Sequence, residues 1–398
     1  MGDTPHPDLH EALDEFTQDV FGYLAYQPQR SWAGTYLQGL MLTGLKRKSV
    51  QPMAMALGVP HQNLGHFVAT SPWNYREVVW RLAARTIRVI QPSAWILDDH
   101  PFPRSGKHLP GVARQHLGGK KTAWGQVGLS LHAFSPRGSS PLHWRLFLPQ
   151  ARSDDPVHRA QTKIPPEVVH TTKWRMALEM LDELAEHGQR PPLLLADSDY
   201  GKVVEFRTGL AAREVPFLMA IPWETNLLRA TGAPVTAWRR YGEDLRADEL
   251  AAQIRYTAHR FRYRDPEHGH KARYGWFAAV RVHPSGISAR RAASGGTLPE
   301  YTMLVQWRRK RAGGQGADLP FRVWVTDLPA STPLAVLVKY ATARWEIETD
   351  YRDLEQHLGL GEYEGRSWDG FHHHAILVSA AHLFCLEQRL DPKVLVMT

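Results

Sequence analysis

Three acidic residues in three local settings carry the chemistry that this sequence offers: Asp98, Asp197 and Glu348. Asp98 closes the apolar run Ala94-Trp95-Ile96-Leu97 and opens Asp98-Asp99-His100. Asp197 closes a second apolar run, Leu193-Leu194-Leu195-Ala196. Glu348 lies in Arg344-Trp345-Glu346-Ile347-Glu348, within a stretch that reads as a long helix. Carboxylates are hard, anionic ligands. Two on strand ends and a third on a helix are what a phosphodiester site needs to hold two divalent cations, which activate one oxygen and stabilise the leaving one.

The rest of the chain must position these groups and supply the charge that goes with them. Its 398 residues suffice for two or three domains, and 43% hydrophobic and 22% charged content describes an ordinary globular protein. The net charge is +8, carried largely by arginine, the residue suited to bidentate phosphate contacts. Arginine-rich composition is also common in GC-rich genomes, so charge alone does not establish a nucleic-acid partner. The single cysteine, Cys385, excludes an intrachain disulfide framework and a thiolate zinc cluster. The acidic start of the chain lacks the apolar segment of a signal peptide, and the run Ala375 to Leu386 is too short to span a bilayer. The expectation is a cytoplasmic protein that does not enter membranes.

Residues 1–90 read as helical, with Leu9, Leu13, Phe16 and Val20 near the helical period. Within them, residues 49–68 have the form of a helix-turn-helix. Ser49 is placed to cap a first helix, Gly58 to stop it, and a second helix starts near Pro60 with His61, Gln62 and Asn63 leading. Two ordinary packed helices would read the same way. Residues 91–222 switch to α/β. Strands are expected at Ala94–Asp98, Gln126–Phe134, Leu142–Leu148, Leu193–Asp197 and Val215–Ile221, with a helix from Thr172 to His187. Three strands, a helix and a further strand is the order of a ribonuclease-H-like mixed sheet. Residues 223–325 read as a β-rich insertion, with basic, aromatic strands at Tyr256–Tyr263, Tyr274–Val282, Tyr301–Trp307 and Phe321–Thr326 that could lie against DNA or fill their own core. Residues 326–398 complete the core. There Arg344, Glu348, Tyr351, Arg352 and Glu355 recur at helical spacing and are expected on one face.

Four strings in order carry a resemblance. They are Asp98-Asp99-His100-Pro101-Phe102-Pro103-Arg104-Ser105-Gly106-Lys107 continuing to Gly111-Val112-Ala113-Arg114-Gln115; Ala196-Asp197-Ser198-Asp199-Tyr200-Gly201; Arg344-Trp345-Glu346-Ile347-Glu348; and Leu358-Gly359-Leu360 with Tyr363-Glu364-Gly365-Arg366-Ser367-Trp368. On these the chain resembles a DDE transposase of bacterial insertion sequences, in the cut-and-paste superfamily with a Tyr-Arg-Glu-Lys signature. The resemblance implies that Asp98, Asp197 and Glu348 bind two Mg²⁺ or Mn²⁺ ions. It implies strand cleavage by activated water and strand transfer by a DNA 3′-hydroxyl. The implied partners are double-stranded DNA, as terminal inverted repeats and target, and a second copy of the chain in the DNA complex. A bacterial cytoplasmic, nucleoid-associated location goes with it. Asp99 and Asp199 are supports or alternatives, with Asp98 preferred to Asp99. The residues that would face DNA are Lys46, Arg47, Lys48, His61, Gln62, Asn63, Lys107, Arg114, Lys120, Lys121, Arg344, Arg352 and Arg366.

The sequence departs from the signature in places. Glu355 stands where a lysine is expected, Ala341 where a tyrosine is expected (Tyr340 is one place earlier), and His100 where threonine is common. An acid at 355 would repel phosphate, which leaves open a catalytically impaired, DNA-binding relative. Elsewhere, His372-His373-His374 cannot converge on one ion, because consecutive helical residues diverge by about 100°; a helix start with solvated histidines is expected instead. The basic clusters Lys120-Lys121 and Arg308-Arg309-Lys310-Arg311 are solvated runs or phosphate contacts. No Walker-type loop and no Gly-x-Ser-x-Gly elbow occurs. A sugar hydrolase with paired carboxylates would leave the basic N-terminal helices unexplained.

Overall fold

Apolar residues at helical spacing fold residues 7–90 into five helices: α1 (Pro7–Phe21), α2 (Gln27–Met41), α3 (Val50–Leu57), α4 (His61–Ala69) and α5 (Tyr75–Ile90). The computed structural model describes residues 7–117, 122–232, 234–235, 244–265, 271–293, 296–308 and 320–390. In α1, Leu13, Phe16 and Val20 are buried. α3 ends where Gly58 takes the left-handed conformation at φ 67°, its N–H donating to the carbonyls of Ala54 and Met55. Ser49 occupies the expected cap position, but its hydroxyl makes no capping bond. α4 buries Leu64, Phe67 and Val68 and leaves His61, Gln62 and Asn63 exposed.

The chain continues through β1 (Ala94–Pro103), β2 (Ala113–His116), β3 (Thr122–Ser135), β4 (Gly138–Leu146), α6 (Gln150–Ser153), α7 (Pro156–Thr162) and α8 (Lys173–Glu186). β5 (Leu194–Ala196), α9 (Ser198–Gly201), α10 (Val204–Ala211) and β6 (Phe217–Ile221) follow. The expected insertion holds β7 (Asn226–Arg229), β8 (Leu245–Arg246), β9 (His259–Asp265), β10 (Lys271–Pro284) and β11 (Tyr301–Trp307), but also α11 (Ala247–Ile254) and α12 (Ile287–Ala292). The chain closes with β12 (Arg322–Thr326), α13 (Leu334–Ala343), α14 (Ile347–Arg352) and α15 (Trp368–Leu390). The short helices α6, α7, α9 and α10 were not legible as periodic runs. The sequence-expected strand Tyr256–Tyr263 begins as a 3₁₀ turn, Arg255–Thr257, and becomes strand only at His259.

The chain divides into two compact units. One comprises residues through Pro92, Asp98–Gln189 and Thr349 onward; the other comprises Ser93–Leu97 and Arg190–Glu348. In the first, β2 and β4 pair antiparallel with successive stretches of β3, and β1 borders β3. α15 packs against α2, α4, α5 and β4, which draws the N-terminal helices into this unit. In the second, β1 pairs in parallel with β5 and β5 with β6. The sheet then turns antiparallel through β12, β11 and β10, with β7 and β9 on β10 and β8 on β7. The result is a mixed, mostly antiparallel sheet with helices. Ala94–Leu97 and Leu193–Ala196 are uninterrupted buried runs, as parallel strands covered on both faces require.

No helix among the described residues is long and apolar enough to cross a membrane. The expected solvated histidines of α15 are instead buried, because the helix is enclosed on all sides. Their rings diverge, as their spacing requires. His372 bonds the Trp368 carbonyl and the Leu146 N–H, His374 bonds the Tyr36 hydroxyl and the Gly359 carbonyl, and His373 faces the carbonyls of Val68 and Trp73 while stacking on Trp73 at 3.7 Å. Burial holds His372 at about 3 and His374 at about 4, below the ordinary 6.5. Burial likewise holds His373 at about 4, outweighing the two carbonyl acceptors that favour its protonated ring.

The unfolded chain protonates His372 and His374 near pH 6.5, whereas the folded chain keeps them neutral to about 3 and 4. Stability is therefore full above pH 6.5 and falls on acidification by about 1.4 kcal/mol per pH unit for each ring in that window. Urea unfolding at pH 7 and pH 5 is expected to show the lower midpoint at pH 5, with a smaller difference in His374→Gln. A midpoint that holds or rises at pH 5 contradicts this.

Candidate active site

The parallel pairing of β1 with β5 sets the register of the first two acids. Trp95 lies opposite Leu194 and Ile96 opposite Leu195, a constant offset of 99 positions. Leu97 is then level with Ala196, and Asp98 and Asp197 are the next residues of the two strands. Neighbouring strands run about 4.8 Å apart. One expectation needs correction. β1 does not end at Asp98 but continues to Pro103 along β3, so Asp98 is an intrastrand residue, and only Asp197 follows a strand end.

Local contacts distinguish these acids from their neighbours. Asp197 Oδ1 accepts the N–H groups of Asp199 at 2.9 Å and Tyr200 at 3.4 Å, capping the short α9. Gly201 completes the turn, since a Cβ there would collide with the Ala220 carbonyl on β6. Asp199 is exposed and pairs with Lys202 at 2.6 Å. Asp99 accepts from the Lys173 ammonium at 2.5 Å. Both acids that were alternatives for the site are thus engaged by a lysine.

Glu348 is exposed, and its segment is not the single helix expected. α13 tightens into a 3₁₀ turn at Arg344–Glu346, α14 follows, and the backbone loosens into a π-helical turn at Asp353–His357. The rotation per residue changes at each junction, and Glu348 and Arg352 are exposed while Tyr351 is half-buried. Trp345 packs under the guanidinium groups of Arg322 and Arg344, each 4.1 Å from its ring.

Four polar contacts from three residues tie the segment after Glu348 to the strands of the first unit. Asp350, buried, accepts from His132 Nδ1 at 2.8 Å and from Ser139 Oγ at 2.6 Å. The Tyr351 hydroxyl bonds Ser130 Oγ at 2.7 Å. Glu355 Oε1 bonds His100 Nε2 at 3.0 Å. Burial, then the nearby charges of Asp98, Asp99 and Asp350, hold the Tyr351 hydroxyl well above its ordinary range. The His100 hydrogen bond holds the Glu355 carboxyl below its own. Ser130, His132, Ser139, Asp350 and Lys173 were not read from the sequence. Their partners are 74 to 221 positions away, and only Asp350, two residues past the Glu348 string, had a nearby signal.

Of the residues expected to face DNA, Lys46, Arg47, His61, Gln62, Asn63, Lys107, Arg114, Arg352 and Arg366 are exposed. Arg344 is half-buried against Trp345. Lys48 is buried, its ammonium donating to the Leu42 carbonyl and its N–H to Glu362, so this side chain is committed to the fold. Lys120 and Lys121 lie outside the described residues, as do Arg309, Lys310 and Arg311. Among the described residues, no three or more His, Cys, Asp or Glu side chains are gathered tightly enough to hold a metal ion.

The mixed sheet and its helices are compatible with what the comparison to protein families shows. The chain belongs to the DDE endonuclease and transposase superfamily: the DDE superfamily endonuclease model matches residues 19–273 and the transposase DDE domain model residues 163–384. No curated protein matches the chain.

Asp350→Ala removes the acceptor of buried His132 and half-buried Ser139. It is expected to lower unfolding stability by about 1–3 kcal/mol, measured by urea denaturation. A change below about 0.5 kcal/mol, the size of an ordinary surface substitution, contradicts the contact.

Proposed function

We propose that the chain is a DNA transposase that cleaves DNA strands and transfers them in a metal-dependent reaction through Asp98, Asp197 and Glu348. The observation that carries this reading is the β1–β5 register, which makes the two aspartates successors of paired residues on adjacent parallel strands. The core is read as ribonuclease-H-like on the same ground, since β1, β5 and β6 form its parallel part and β3 flanks β1.

The donor set suits hard cations. It is all carboxylate oxygen, which matches Mg²⁺ or Mn²⁺, and two ions are proposed. Bound there, the ions supply charge neutralisation and a more acidic water or hydroxyl for in-line displacement. The chain's own part is to hold the carboxylates. Asp197 is oriented by two backbone N–H groups, and the lysine partners of Asp99 and Asp199 limit local repulsion around the proposed ligands.

DNA is proposed to meet α4 through His61, Gln62 and Asn63, with Lys46, Arg47, Lys107, Arg114, Arg352 and Arg366 on phosphates. The β9–β10 ribbon adds a basic, aromatic surface. Arg260, Arg262 and Tyr274 are exposed there, with the Arg260 guanidinium 4.0 Å from the Tyr274 ring and Arg262 paired opposite Tyr274. Terminal inverted repeats, target DNA, a dimeric DNA complex and a bacterial insertion-sequence origin with a cytoplasmic, nucleoid-associated site of action are parts of the same proposal.

A second reading is a DNA-binding protein without chemistry. It is favoured by Glu355 and by the lack, among the described residues, of a gathered three-ligand group. Purified protein with DNA carrying the gene's own flanks and Mn²⁺ separates the two. Strand cleavage is expected, with Asp98→Ala, Asp197→Ala and Glu348→Ala each abolishing it while DNA affinity stays within about threefold. Binding without cleavage by the unaltered chain supports the second reading, and undiminished cleavage by all three variants refutes the assignment.

A further inference from the structure

We propose that Glu355 is a positioning residue that clamps His100, and through it the Asp98 face of β1, to the helical segment that follows Glu348. This rests on the transposase reading and deepens it. His100 lies two positions after Asp98 on one strand, so the two side chains share a face. Its ring is buried, packed against Tyr351 at 4.3 Å and against Phe102 at 4.9 Å. The ring N–H at Nε2 then meets Glu355 Oε1 at 3.0 Å, across 255 positions of sequence. Tyr351, the other wall of the ring, is itself fixed by Ser130 and stands close enough to Asp98 for that charge to be felt at its hydroxyl.

The chemistry of the pair is one donor and one acceptor. Glu355 accepts, and a lysine at this position would set an ammonium donor against a ring N–H, losing the bond. The acid that departs from the Tyr-Arg-Glu-Lys signature thus has a bonding partner in this fold. The two form a single unit: an acid at 355 requires the imidazole at 100. Glu355 is half-exposed at its outer side, so substitution there does not open a core cavity.

The test is a double-variant cycle on the full chain, with DNA carrying the gene's flanks as substrate and Mn²⁺ alone as the metal probe, read by electron paramagnetic resonance. Supports of metal ligands typically contribute about 10–100-fold to metal affinity or activity. Glu355→Ala and Glu355→Lys are expected to weaken Mn²⁺ binding and single-turnover cleavage by about tenfold or more, with DNA affinity little changed. Glu355→Gln, which keeps an acceptor, is expected to lose less than Glu355→Ala. His100→Thr combined with Glu355→Lys is expected to lose less than the product of the two single losses, because either change alone already breaks the shared bond. Equal or higher Mn²⁺ affinity and cleavage in Glu355→Lys, or strictly multiplicative effects in the cycle, would overturn the clamp. Thermal melts of each variant separate unfolding from loss of positioning. If the unaltered chain binds Mn²⁺ but cleaves nothing, the transposase reading fails, while unequal Mn²⁺ affinities of the native chain and Glu355→Ala still support the clamp and equal ones overturn it.

Discussion

The constraint on which the proposed site depends is the parallel pairing of two short, fully buried strands. A parallel ladder admits few registers when both faces of each strand are covered, because a one-residue slip turns every side chain to the opposite face. Trp95 against Leu194 and Ile96 against Leu195 fix that register here. The aspartates follow from it without further specification. Each is the first acidic residue after an apolar run, and each run is held at the same level by its partner. Charge is therefore delivered at the point where burial stops, which keeps ionised groups out of the core.

The second requirement of the proposed site is to offset the negative charge around its acids. The protein answers with neighbours of known partners. Lys173 and Lys202 engage Asp99 and Asp199, and two N–H groups engage Asp197. The segment after Glu348 is fixed separately, by Asp350, Tyr351 and Glu355 reaching His132, Ser139, Ser130 and His100. Asp350 and Tyr351 make their contacts from α14 and Glu355 from the π turn that follows it.

Much of this was legible in the sequence, and the failures share a cause. The apolar runs ending in Asp98 and Asp197, the Gly58 turn and the helical first ninety positions are local patterns, and local physics decides them. What was missed depends on distant residues. β1 outruns its apolar stretch because β3 borders it. The histidines of α15 are buried because helices from the start of the chain enclose them. Lys48 reads as a phosphate contact in Lys46-Arg47-Lys48 but turns inward to the Leu42 carbonyl. Glu355 reads as a defect until His100 is seen opposite it. In each case a side chain of ambiguous role was assigned by a partner that spacing alone does not reveal.

The central claim is that Asp98 and Asp197 share a divalent cation with Glu348. Loading the protein with Fe²⁺ and generating hydroxyl radicals with ascorbate and peroxide cuts the backbone beside the bound metal, and the fragments can be located by mass spectrometry. The account predicts cuts next to residues 98, 197 and 348, all suppressed by excess Mg²⁺. Cuts at only one of these positions, or confined to the histidines at 372–374, would contradict it.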